Sequence, residues 1–124
     1  MKGLIFLKDT NNYKPKNALL VSVSSEIKTK EELFQELKRK LLFPKYFGFN
    51  WDALLDCLKD FHWINEKLIV LIHDEISSLD EQTLRNYLEI LNTAVGDWEQ
   101  HKEHILEIAF SKEDEAHILS ILKK

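Results

Sequence analysis

Residues 44 to 58 read PKYFGFNWDALLDCL, and the rest of the chain is organised around them. Pro44 ends the apolar helix before it, because proline biases its preceding residue away from the α region and has no backbone donor. Gly48 permits a sharp turn or the close approach of another surface. Asn50 is a strong N-cap residue, able to accept from the free N–H groups of a following first turn. A helix therefore starts near Trp51. On it Ala53, Leu54, Cys57, Leu58 and Phe61 recur at helical spacing, which predicts a core-facing stripe. Asp52 and Asp56 lie one turn apart and stack on a different face, with Asp52 in the first turn, where the helix dipole favours negative charge.

Two like charges at this spacing repel by about 0.2 to 0.5 kcal/mol in an isolated helix, and no neighbour in the segment relieves them. Charge pattern alone fits a solvated helix face. The alternative is an anionic display for a cationic partner, and the surrounding residues add weight to it: Tyr46, Phe47, Phe49 and Trp51 crowd the turn, and aromatic anchors beside charges are typical of binding hot spots.

The run Tyr46-Phe47-Gly48-Phe49-Asn50-Trp51-Asp52-Ala53-Leu54-Leu55-Asp56-Cys57-Leu58 resembles the signature of the barstar family of intracellular ribonuclease inhibitors. Gly48, Asn50, Asp52-Ala53-Leu54, Asp56-Cys57-Leu58 and the leading Pro44 and Tyr46 keep the family's register without a gap. The resemblance implies that loop and helix plug a nuclease active site, with carboxylates in place of RNA phosphates. It carries over Tyr46, Gly48, Asn50, Asp52 and Asp56 as partner-binding residues, and Phe47, Trp51, Leu55 and Phe61 complete the expected partner-binding set. Asp52 and Asp56 would face arginine, lysine or histidine in the cleft. Tyr46, Phe47, Trp51 and Phe61 would supply apolar contact. Departures are also visible. Phe49 stands where the family has an acidic residue, Trp51 where it has leucine and Leu55 where it has tryptophan, while Lys45 reverses a charge. A glutamate that the family uses from a later helix falls near Thr93 here, with Glu89 one turn away.

Working outward, 124 residues suit one domain with a real core and no staples. One cysteine excludes an internal disulfide, and the apolar run at the start is too short for a secretory signal, so a cytoplasmic protein is expected. Nothing reads as a membrane span. A formal net charge of −4 disfavours nucleic acid as a direct ligand and suits a basic protein partner.

Gly3 to Lys8 is a short apolar run that reads as an edge strand, followed by a polar loop from Asp9 to Asn17. Ala18 to Ser24 reads as a buried strand, and Thr29-Lys30-Glu31-Glu32 is a capping box opening a helix with Leu33, Phe34, Leu37 and Leu41 inward. After the central helix, Lys67 to Ile72 reads as a strand buried on both faces. Ser78-Leu79-Asp80-Glu81 predicts a second capping box, opening a helix with Leu84, Tyr87, Leu88 and Leu91 inward that ends near Gly96. A third strand runs from about Ile105 to Phe110. Ser111 then caps a short helix in which Ala116, Leu119 and Leu122 align. Alternating strands and helices imply an α/β fold with a parallel sheet. The barstar resemblance makes this a three-stranded parallel sheet packed with helices. Its core covers about residues 18 to 111 of a single domain, with an added N-terminal edge strand and C-terminal helix.

Other constellations offer less. His101 and His104, with Glu103 between, would share a face for a metal if the segment were helical, but two ligands do not make a site. Cys57 and His62 suggest a nucleophile and base, yet Cys57 falls on the apolar stripe, where thiols are inert. Three scattered glycines exclude a phosphate-binding loop. Lys38-Arg39-Lys40 suits a helix C-terminus. The expectation is a non-enzymatic inhibitor or immunity protein, monomeric when free, without cofactor or metal. It would bind a basic ribonuclease or related nuclease toxin one to one. The alternatives are a barstar-like module for a non-toxin regulatory partner and a small metal-binding enzyme using His101 and His104.

Overall fold

The computed structural model describes residues 3–76 and 78–123. Four strands, β1 (Leu4–Leu7), β2 (Ala18–Val23), β3 (Leu68–His73) and β4 (Ile105–Ser111), form one parallel sheet in the order β1-β4-β3-β2. Helices α1 (Lys30–Leu41) and α2 (Trp51–Leu58) connect β2 to β3, α3 (Glu81–Gln100) connects β3 to β4, and α4 (Glu115–Leu122) follows β4. All four strands, the added N-terminal edge strand among them, are those that the sequence pattern predicts.

Period-two alternation divides the central strand between two cores. Ile69 and Leu71 point to the face that carries the helices, where they meet Leu37, Leu58, Leu88 and Ile108, whereas Val70 and Ile72 point to the opposite face with Ala109. Among the described residues no α-helix covers that second face. It is crossed instead by the connection from β1 at one edge to β2 at the other. Tyr13 of this strap packs on the second core and donates its hydroxyl to Glu107 Oε1 at 2.6 Å, while Thr10 donates to Asp74 Oδ1 at 2.6 Å. The hydrogen bond to Glu107 and partial burial push the Tyr13 hydroxyl up to about 12.

The capping box at Thr29 forms as read, with Thr29 accepting from Glu32 N and the Glu32 side chain reaching back to Thr29 N. Other boundaries differ. Asp80, not Ser78, caps α3: its carboxylate accepts from Thr83 N at 2.8 Å, and the helix begins only at Glu81. An aspartate next to the first helical residue competes directly with a serine farther upstream. Gly96 does not end α3, which runs on to Gln100. Val95 and Trp98 are buried on either side of Gly96, so tertiary packing overrides a glycine's modest helix penalty. The face of α4 is also corrected: Ser111 caps a short 3₁₀ turn, Lys112–Asp114, and the helix beyond it buries Ile118 and Ile121, leaving Ala116 and Leu119 exposed.

A buried polar pair sits at the carboxyl end of β3. His73 Nδ1 donates to Ala109 O at 3.0 Å, and Nε2 accepts from the Tyr87 hydroxyl at 2.7 Å, which fixes a neutral imidazole stacked on Phe110. Burial pushes His73 down to about 4 and raises Tyr87. Because the folded value lies below the ordinary 6.5, the unfolded chain binds this proton first. Stability is therefore full above pH 6.5 and falls between 6.5 and about 4, by up to about 1.4 kcal/mol per pH unit. Urea unfolding across this range should show the fall in wild type. It should be flatter by one proton in His73→Phe with Tyr87→Phe, which removes both polar partners together. Equal slopes would contradict the assignment.

Candidate protein-binding site

The segment between α1 and α2 is shaped by which of its aromatics are inward. Pro44 to Phe47 makes a tight turn, with Phe47 N donating to Pro44 O at 3.1 Å, and the turn drives Phe47 into the core. Its ring lies 5.0 Å from Phe43, 6.1 Å from Phe34 and 4.9 Å from Phe49. Trp51 packs edge-on against Phe34 at 4.9 Å. Tyr46, the neighbour of Phe47, is thereby turned outward and is 71% exposed.

Asn50 then starts α2. Its Oδ1 accepts from Ala53 N at 2.8 Å and its Nδ2 donates to Gly48 O at 3.2 Å, so both ends of the amide are engaged in the cap. Gly48 is not the residue with unusual backbone. That role falls on Phe49, at φ 52°, while a Cβ on Gly48 would come within 3.2 Å of the Asn50 amide. The glycine leaves room for the cap and does not itself make the reversal.

Two indoles tie down helix ends. Trp63 Nε1 donates to Leu41 O at the end of α1 at 2.9 Å, and Trp98 Nε1 reaches from α3 to Leu58 O at the end of α2 at 2.7 Å. These carbonyls would otherwise lack intrahelical donors. With Asn50 at its amino end and Trp98 at its carboxyl end, α2 is held in place over its whole short length.

The exposed face of α2 carries Asp52 and Asp56, and Asp60 continues the row just past the helix. Among the described residues, Asp52 and Asp56 form no hydrogen bond or ion pair within the chain. Asp60 lies 2.9 Å from His62 Nδ1. Tyr46, Ala53, Asp56 and Asp60 border a depression of about 140 Å³ whose floor includes Phe47 and Cys57. The Tyr46 hydroxyl is raised, first by partial desolvation and then by the nearby Asp60 and Cys57. Burial pushes the Cys57 thiol up to about 11, which leaves it an un-ionised packing group.

Of the residues expected to meet a partner, Tyr46, Gly48, Asn50, Asp52 and Asp56 are exposed, and Trp51 and Leu55 are half-buried. Phe47 and Phe61 require correction. They are 4% and 0% exposed and belong to the core, so neither offers apolar contact to another molecule. Phe61 lies beyond the end of α2, at φ 50°, and stacks on Trp98 at 6.1 Å. Asp60 was not among the expected residues, although its spacing from Asp56 repeats that of Asp56 from Asp52.

The His101 and His104 pair does not share a helical face. The helix stops at Gln100, His101 is its extended cap, and His104 is buried with Nδ1 bonded to Glu66 O at 2.9 Å. Among the described residues no group of three or more His, Cys, Asp or Glu side chains is arranged to hold a metal ion. No helix among them is long and apolar enough to cross a membrane.

A family model described as barstar (barnase inhibitor) matches residues 18–110. The match spans β2 to β4 and contains the loop and α2. The first strand, the Tyr13 strap and α4 lie outside it.

Packing separates two adjacent aromatics of this loop. Phe47→Ala should destabilise the fold by about 3 to 5 kcal/mol, as large buried aromatics do, whereas Tyr46→Ala should stay within about 0.5 kcal/mol of wild type. Urea midpoints measure both, and a Phe47→Ala protein as stable as wild type would show that the loop does not rest on that ring.

Proposed function

The chain belongs to the barstar family, and from that premise we propose that it is a protein inhibitor or immunity protein that binds and blocks the active site of a basic ribonuclease or related nuclease toxin. The observation that carries this reading is the pair Asp52 and Asp56, exposed, without an ion pair or hydrogen bond among the described residues and one turn apart beside the projecting Tyr46. A nuclease must concentrate cations where phosphates bind, and fixed carboxylates at helical spacing offer such a cleft anions that cannot be cleaved. Tyr46 provides a large aromatic surface at the rim of the acidic row, the composition expected of an interface anchor. The protein contributes no chemistry of its own to this process. Cytoplasmic action is part of the same proposal and suits a chain whose one thiol is buried and free.

Electrostatics governs encounter in this mechanism more than final affinity. The −4 net charge and the acidic row attract a cationic cleft over a range set by salt, about 8 Å at physiological ionic strength. Apolar contact from Tyr46, Trp51 and Leu55 then slows dissociation and is not screened.

Titration against RNA cleavage by barnase and a panel of other basic microbial ribonucleases tests this. At least one enzyme should be inhibited at a one-to-one ratio, and its association rate should fall as salt rises. Asp56→Ala should weaken inhibition by about 2 to 5 kcal/mol, the general cost of unpairing a buried charge, a range informed by the barnase–barstar complex itself. Its urea midpoint should stay near that of wild type. Failure to inhibit any member, or an Asp56→Ala protein that inhibits as well as wild type, would sink the proposed role of this face.

A further inference from the structure

Two large apolar side chains are held out from the surface on backbone that resists them. Leu42 follows the last turn of α1 at φ 58° and is 70% exposed; Phe49 stands at φ 52° before the cap of α2 and is 41% exposed. The geometry around Leu42 is a helix-terminating motif in which both Leu42 N and Phe43 N return to Lys38 O, the second at 3.0 Å. Glycine is the residue that this position favours, because a Cβ is strained there. A leucine here neither relieves strain nor fills the core. Conformational cost retained at an exposed apolar residue is a pointer to contact with another molecule.

The two side chains flank the same cation. Lys38 Nζ lies 5.6 Å from the centre of the Phe49 ring, and Lys38 lines the same surface depression as Leu42 and Arg39. At the end of α1, Arg39 and Lys40 close on Glu36 at 2.6 and 3.0 Å, but Lys38 makes no ion pair among the described residues, and neither does Lys45. This patch is continuous with the acidic face: Phe47, in contact with Phe49, also floors the depression bordered by Asp56.

We infer that Leu42 and Phe49 form a second contact patch of the same interface, one that seats in an apolar depression on the rim of the partner's cationic cleft, with a partner carboxylate opposite Lys38 and Lys45. The inference rests on the inhibitor reading and adds to it. Charge on this surface changes sign, from Asp52, Asp56 and Asp60 along α2 and its end to Lys38 beside Phe49, with Lys45 exposed in the loop between the helices. A partner matching both sides is therefore not uniformly basic. It carries an apolar pocket and an acidic group next to its phosphate-binding cations, and this patch selects among nucleases that share the same catalytic charge.

The probe is the ribonuclease most tightly inhibited in the panel above. Leu42→Gly should raise the melting temperature by about 2 to 4 °C, because the left-handed position is relieved, while weakening binding about tenfold or more. Phe49→Ser and Lys45→Glu should each weaken binding by a similar factor. If Asp56→Ala loses affinity while Leu42→Gly, Phe49→Ser and Lys45→Glu bind as wild type, this second patch is overturned and the inhibitor reading stands. A Leu42→Gly protein that melts lower than wild type would show that the leucine supports the fold, and would overturn its place in the interface. If no ribonuclease is inhibited, both fall together.

Discussion

Burial of the Phe47 ring among Phe34, Phe43 and Phe49 is the constraint on which the surface of this protein depends. A loop of this length has no ladder of backbone hydrogen bonds to define it, so its conformation is set by where its apolar side chains go. With Phe43 and Phe47 inward, the residues between and beside them have only the outward directions left. Tyr46 is exposed for that reason, and the chain arrives at Asn50 positioned to cap α2. The display of carboxylates that follows is thus a consequence of core packing one residue away.

The helix that carries them is two turns long, too short to be stable by propensity. It persists because its amino end is closed by the Asn50 side chain, its carboxyl end by the indole of Trp98, and its inner face by Leu54, Cys57 and Leu58. Such anchoring lets the outer face tolerate Asp52 and Asp56, whose mutual repulsion of a few tenths of a kcal/mol works against the isolated protein. A rigid helix is also what a binding surface needs, since ordering a flexible one would subtract from affinity. The free fold carries unfavourable features along this face, like charges without an ion-pair partner among the described residues and exposed left-handed Leu42 and Phe49, while the opposite side of the sheet is crossed by the Tyr13 strap.

Much of this was legible in the sequence where a signal is local and strong. The Thr29 capping box, the Asn50 cap, the core stripe of α1 and the doubly buried β3 run all follow from short-range chemistry, and the alternation of strands and helices gives the parallel sheet. The site's acidic pair and Tyr46 were readable from the same stretch. What was not readable depended on distant residues. Gly96 stays helical because Val95 and Trp98 are buried beside it. Phe47 and Phe61 look like surface aromatics until Phe34, Phe43 and Trp98 are brought to them. The positive φ angles at Leu42 and Phe49 have no compositional mark, since glycine and asparagine are the residues that advertise them. Asp9 to Asn17 reads as a polar loop, yet one tyrosine in it reaches Glu107 across the sheet. Asp60 was within reach of sequence reasoning and needed only the spacing of Asp52 and Asp56 to be extended.

The central claim is that the acidic face of α2 occupies the place of RNA phosphates in a nuclease cleft, so inhibitor and substrate exclude one another. Initial rates of RNA cleavage, measured at several substrate concentrations with the inhibited ribonuclease, test this directly. The account predicts purely competitive behaviour, with an apparent inhibition constant that rises linearly with substrate concentration. An apparent constant independent of substrate, with RNA still bound in the inhibited complex, would contradict it.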